Sequence, residues 1–286
     1  MSGSRVVKFA SLPLYKVLGL NRLYWAWQYT FHRHRPGSPV YYREREKHVR
    51  AICASVTGPE HDLGDLVGHA EYAKFDERLV EYPFVRARTR PGRRVLDVGC
   101  TMNTPLHLEW LKGQFTEIHL FNITYDAPLG DGNVSMIVGD IRETFLPSNF
   151  YDQVICVSTL EHVGMDNDRY LAGRGGAEPP TNREGESWVQ ATREMLRVCR
   201  PGGVVLLTVP YGVAQDFGWF HVFDHKKLGR LQTAVADHAS MRTWRFRATP
   251  SGWIALRPDE AVGTAYGGVS RSGASAVACM EIVKKG

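Results

Sequence analysis

The sequence predicts an α/β protein with a mostly parallel central sheet, helices on both faces and an N-terminal helical extension. Three observations predict it. Short apolar, β-branched runs alternate with segments of helical period through most of the 286 residues, which is the rhythm of βαβ units. The stretch Arg93–Asn103 reads as a strand entered from Pro91-Gly92, broken at Asp97-x-Gly99 and followed by a helix-prone segment from Thr104 to Gly113. Composition is that of an ordinary globular protein, 43% hydrophobic and 23% charged, and the chain is long enough for one elaborated domain with a sizeable core.

A net charge of +5 is modest. It suits an anionic small molecule or a membrane surface and is no nucleic-acid footprint, so no nucleic acid is expected as a partner. Five cysteines, odd in number and widely spaced, predict free thiols in a reducing cytoplasm; no pair has zinc-ligand spacing. Lys16, Asn21 and Arg22 break the early apolar residues, so neither a signal peptide nor a spanning helix is expected.

Taken in order, residues 1–35 are basic and aromatic, ending in His32-Arg33-His34-Arg35. They suit a membrane surface or a helix packed on the main domain or on a second subunit of a homo-oligomer; the packed helix is the favoured reading. Ser38-Pro39 starts a helix that Gly58-Pro59 stops. We place an extension at 1–68 and the main domain at 69–286. Tyr72, Phe75, Leu79, Tyr82 and Val85 form a helical stripe. Strands are expected at Ile118–Phe121, Val134–Val138, Tyr151–Val157, Gly203–Val209, Trp244–Phe246 and Ala276–Val283, with helices at Glu186–Val198 and Asp224–His238. The long insert Gly164–Gly185 reads as an acceptor-side lid.

Ligands of such sheets sit beyond the carboxyl ends of the strands, so the strand ends carry the chemistry. Val95-Leu96-Asp97-Val98-Gly99-Cys100 resembles the first motif of class I S-adenosylmethionine-dependent methyltransferases, with Thr101 and Asn103 in place of the usual further glycines. Thr159-Leu160-Glu161-His162, and Arg200-Pro201-Gly202-Gly203 leading into the next strand, resemble the family's later motifs closely, in order and spacing. The similarity covers roughly residues 78–283. It is tightest to a bacterial subgroup of polysaccharide and natural-product pathways, through Thr208-Val209-Pro210-Tyr211-Gly212, Trp219 and Phe223-Asp224.

The resemblance implies the Rossmann-like fold of that family and S-adenosyl-L-methionine as cofactor. It places the cofactor against Asp97, Gly99, Cys100, Thr101 and Asn103 of the first turn, and against Ser158 and Thr159 after the fourth strand. Asn122, or Asp126 in its stead, would accept from the ribose hydroxyls. Asp140 would accept from the adenine amino group, with Ile141 covering the ring, and Arg78 would pair with the cofactor carboxylate. No metal is expected. The implied reaction is methyl transfer by in-line displacement to an oxygen of a small-molecule or saccharide acceptor. A hydroxyl acceptor needs a base; the candidates are His162 and the pair His221 and Asp224, with Glu161 and Asp166 as lesser ones. Two other readings stay open: a binding module of this fold without turnover, and a nicotinamide-dependent oxidoreductase.

Overall fold

A computed structural model of the chain describes residues 38–58, 62–130, 132–168, 186–257, 260, 263–268 and 273–286. The aromatic segment 1–35 and most of the expected lid lie outside the described residues. The chain divides into two compact units, Met1–His48 and Val49–Gly286. Ser38 caps helix α1 (Pro39–Ser55), its hydroxyl accepting from the Tyr41 N–H at 3.1 Å. Pro39 stands at the first helical position, where a missing N–H costs nothing.

The second unit holds an eight-stranded sheet of order β3-β2-β1-β4-β5-β8-β6-β7. Its strands are β1 (Gly92–Val98), β2 (Phe115–Asn122), β3 (Val134–Val138), β4 (Tyr151–Val157), β5 (Cys199–Pro210), β6 (Ala239–Thr249), β7 (Gly252–Ala255) and β8 (Ala276–Lys284). The first five run parallel, and β8 lies antiparallel between β5 and β6. Register brings the carboxyl ends of the parallel strands to one edge: Val98 pairs with Phe121 and Cys156, Asn122 with Val138, and Val157 with Thr208.

Helices cover both faces, as expected. Successive strand residues point to opposite sides. On one side Val205, Leu207 and Val209 of β5 share a core with Trp188 and Leu196 of α5 (Ser187–Val198) and Leu228 and Leu231 of α6 (His225–Val235). On the other, Thr208 reaches Glu81 of α3 (Arg78–Arg88) at 2.7 Å. Between α1 and α3 lies the short α2 (Leu63–Val67). Helix α4 (Pro105–Lys112) follows β1, with the Thr104 hydroxyl accepting from the His107 N–H and Pro105 opening the first turn.

Three elements differ from the sequence reading. The helical stripe expected from Tyr72 to Val85 divides into a 3-10 turn, Ala70–Tyr72, and a separate helix from Arg78. β5 begins at Cys199 rather than Gly203, with a register irregularity against Tyr151 and Gln153 and Gly202 at φ +72; a glycine at positive φ lets the strand continue through the Pro-Gly-Gly turn. β7, too short to show alternation, pairs back on β6 across a two-residue turn. Among the described residues no helix is long and apolar enough to cross a membrane, and all five cysteines are buried and unbridged.

Candidate functional site

The strand order reverses between β1 and β4, which leaves a crevice at the carboxyl edge. A cavity of about 280 Å³ occupies it. Gly99 and Thr101 line it from the β1 turn, Phe121 to Thr124 from β2, and Gly139 to Arg142 from β3. From β4 come Ser158 and Thr159, and from the turn beyond it His162 to Met165 and Asn167.

The β1 turn is shaped by backbone geometry. Gly99 has φ +90, and a Cβ there would stand 2.0 Å from the Thr159 hydroxyl. Only glycine fits this crossing of β1 and β4. Asp97 is fully buried, and its carboxylate accepts from the Met102 N–H at 2.9 Å, tying the strand end to the far side of the turn. Burial pushes its carboxyl up to about 7, against the pull of that N–H.

Three of the residues expected at the cofactor stand behind the cavity surface. Asp97, Cys100 and Asn103 do not line the cavity; they brace its wall. Cys100 Sγ lies 3.8 Å from Met136 Sδ. Asn103 holds the loop after β2, donating to Asp126 at 3.2 Å and to the Ala127 carbonyl at 3.0 Å and accepting from the Leu129 N–H at 2.9 Å. Asp126 is thereby a loop partner and is likewise absent from the lining.

Arg78 likewise stands away from the cavity. Its guanidinium pairs with Glu81, and neither lines the cavity. Glu81 is completely buried and accepts from the Ser158 and Thr208 hydroxyls at 2.6 and 2.7 Å. Ser158 does line the cavity, with φ +41. Asn122 and Ile141 line it, and Asn122 Oδ1 also accepts from the Ile123 N–H at 2.9 Å.

Asp140 lines the cavity together with a residue the sequence reading passed over, Arg142. The guanidinium spans both carboxylate oxygens, Nε at 3.1 Å from each and Nη2 at 2.7 Å from Oδ2, and the Arg142 N–H reaches Oδ1 at 2.9 Å. Burial alone would raise the Asp140 pKa; the bonds and charge of Arg142 outweigh it and hold the group below the usual range. A legible signal was the arginine two residues after a strand-end aspartate, close enough to fold back on it.

The two histidines part company. His162 ends a 3-10 turn (Leu160–His162) and lines the cavity. Its Nδ1 lies 2.8 Å from the Trp219 carbonyl, and the two rings are tilted at 5.1 Å. A carbonyl only accepts, so Nδ1 carries the proton and the basic nitrogen of the neutral ring is Nε2. His221 is not in the lining. It is buried behind that turn, its N–H on the Glu161 carbonyl at 3.2 Å and its Nε2 without a hydrogen-bond partner. Burial, with Lys227 and His162 nearby, lowers its pKa to about 4, Asp216 opposing. Asp224, its expected companion, is the N-cap of α6 and accepts from the Lys227 N–H at 2.8 Å. That bond places one Asp224 carboxylate oxygen at the helix end.

The lesser candidates also sit elsewhere. Burial raises the Glu161 carboxyl well above the usual range, and Asp166 turns back on the Asp168 N–H at 3.0 Å. Among the described residues no group of three His, Cys, Asp or Glu side chains is arranged to hold a metal ion.

The fold and site define a Rossmann-like α/β domain with a ligand-sized cavity at its switch point. Solved structures similar to it include an S-adenosylmethionine-dependent methyltransferase from Mesorhizobium loti, at 11% identity over 71% of this chain and 97% of that one, TM-score 0.46. Another is the Burkholderia thailandensis 1,6-didemethyltoxoflavin-N1-methyltransferase with bound S-adenosylhomocysteine, at 12% identity over 95% and 90%, TM-score 0.45. A third is the [4+2]-cyclase SpnF, at 15% identity over 84% and 92%, TM-score 0.45. No protein-family model and no curated protein matches the sequence.

Proposed function

We propose that the chain is an S-adenosylmethionine-dependent methyltransferase acting on a hydroxyl oxygen of a small-molecule acceptor, with a saccharide as the favoured class. What carries this reading is the convergence of four strand ends on one cavity: Gly99, Asn122, Asp140 and Ser158 all line it. These are ends where the sequence motifs place cofactor contacts.

The donor set fits the cofactor. Gly99 leaves the β1 turn without a side chain, Phe121 and Ile141 offer apolar walls to a flat ring, and Asp140 and Asn122 offer oxygens to an amino group and to ribose hydroxyls. When bound, S-adenosylmethionine supplies an electrophilic methyl group: the acceptor oxygen bonds to its carbon while the carbon–sulfur bond breaks and the electron pair stays on sulfur. The protein's part is alignment and proton removal. His162 takes the hydroxyl proton at Nε2, and the Trp219 carbonyl fixes the tautomer and ring orientation that make this nitrogen the base. Among the expected bases only His162 lines the cavity.

Thermal-shift titration with S-adenosylhomocysteine and, separately, with NADH tests the cofactor. Stabilisation by the first alone is expected; stabilisation by NADH alone would move the chain to the oxidoreductases. A gain of one CH₂ on a glycoside offered with S-adenosylmethionine tests the acceptor, and binding without turnover over a broad acceptor panel would favour a non-catalytic module.

A further inference from the structure

We infer that Arg142 is a positioning residue that holds the Asp140 carboxylate so that the cavity selects a ligand bearing an exocyclic amino group, the adenine of the cofactor, over its 6-oxo counterpart. The inference rests on the adenosyl reading of the cavity given above.

The geometry is that of a clamp. Both oxygens of Asp140 are engaged from one direction by the planar guanidinium, at 3.1, 3.1 and 2.7 Å, and Oδ1 also takes the Arg142 N–H at 2.9 Å. Arg142 is itself held: its side chain is only 12% exposed, and Nη1 reaches the Ser187 hydroxyl at the start of α5 at 3.5 Å. A bidentate fork fixes a carboxylate in plane and direction, which a single point charge cannot do.

Three N–H hydrogens, those of the Arg142 backbone, Nε and Nη2, meet the four lone-pair sites of the carboxylate, with the Nε hydrogen shared between both oxygens, so the clamp leaves acceptor capacity on Asp140 and removes its freedom to turn. An ionised carboxylate only accepts. It welcomes an amino group and repels a carbonyl oxygen in the same place. The burial of Asp140 works against ionisation and the bonds from Arg142 more than restore it. Arg142 thus acts on the ligand through Asp140, and its signature is discrimination between two purines rather than affinity alone.

The experiment is calorimetric titration of the whole chain with S-adenosylhomocysteine and S-inosylhomocysteine, in the wild type and in Arg142→Met, Arg142→Lys and Asp140→Ala. The wild type should prefer the adenosyl ligand roughly 10- to 100-fold, the range for a hydrogen bond to a charged group. Arg142→Met should lose about tenfold in adenosyl affinity and less than about threefold in inosyl affinity, cutting the ratio by about threefold or more. Arg142→Lys, which keeps charge and much of the volume, should fall between, and it serves if the methionine variant does not fold. In Asp140→Ala the ratio should vanish, and adding Arg142→Met should change it no further. A wild-type ratio retained in both Arg142 variants would overturn the inference, as would equal weakening of both ligands, which marks a direct or purely structural contact. A wild type that binds neither nucleoside overturns the adenosyl reading itself.

Discussion

Glu81 and Ser158, 77 residues apart in sequence, meet at 2.6 Å, with the serine hydroxyl donating to a carboxylate oxygen that is completely buried. The same oxygen accepts from Thr208 at 2.7 Å, and the other pairs with Arg78. Ser158 also donates its N–H to the Thr208 carbonyl at 3.1 Å. A non-glycine residue at positive φ costs of order 1–3 kcal/mol and persists where its surroundings over-determine it. Ser158 at φ +41 is so held, and α3 thereby reaches the wall of the cavity without lining it.

Removing Glu81 should be severe. Glu81→Ala removes the ion-pair partner of Arg78, whose side chain is 21% exposed, and leaves the Ser158 and Thr208 hydroxyls without their acceptor. The expected loss is about 3–5 kcal/mol in urea unfolding, the range for breaking a buried pair. Replacing both partners, as Arg78→Met with Glu81→Leu, should recover more than half of it. A Glu81→Ala protein within about 1 kcal/mol of wild type would show that the network contributes nothing.

At Gly99 the obstacle to a side chain is Thr159, 2.0 Å from where a Cβ would stand, together with φ +90. Gly99→Leu should abolish S-adenosylhomocysteine binding, and Gly99→Ala should weaken it by at least about tenfold. Adding Thr159→Ala to Gly99→Ala should restore part of the loss, because it removes the clash and leaves the backbone strain. Calorimetry on the three variants decides it, and wild-type affinity in Gly99→Leu refutes the cavity as the cofactor's place.

His162→Ala should keep S-adenosylhomocysteine affinity within about threefold and lose roughly 10²–10⁴-fold in turnover, the usual reach of general-base catalysis. His221→Ala should cost far less turnover, because that ring lies behind the turn that carries His162. Turnover measured on a methylated acceptor separates them. Equal losses in the two variants would mean that His162 is not the base.

His221 instead makes a prediction about stability and pH. Its folded pKa of about 4 lies below the unfolded value near 6.5. As pH falls from about 6.5 towards 4, the unfolded chain takes up a proton that the folded chain refuses, so stability falls. His221→Phe removes that linkage. Relative to wild type it should gain roughly 1–2 kcal/mol between pH 8 and pH 5, read from denaturant midpoints at the two values. A pH-independent difference would place His221 in contact with solvent.

What the sequence determined by itself is what the local chain encodes. The strand–turn–helix at Arg93–Asn103 was legible because β-branched runs, a glycine at positive φ and a Thr-Pro helix start are choices made within a few residues of one another. For the same reason the ends of β2, β3 and β4 were legible as a set, and their parallel register then brings Asn122, Asp140 and Ser158 to one cavity. Tertiary structure decided which polar side chains face that cavity and which hold it up. Nothing near Asp224 distinguishes a base's companion from a helix cap until α6 begins beside it, and nothing near Arg78 and Glu81 announces that Thr208, 127 residues from Glu81, also binds that carboxylate. The antiparallel entry of β8 between β5 and β6 was equally out of reach, since pairing energy depends on the neighbour a strand finds and not on its own pattern. A side chain's role is set by burial and by partners that arrive from distant sequence, and only the folded chain brings them together.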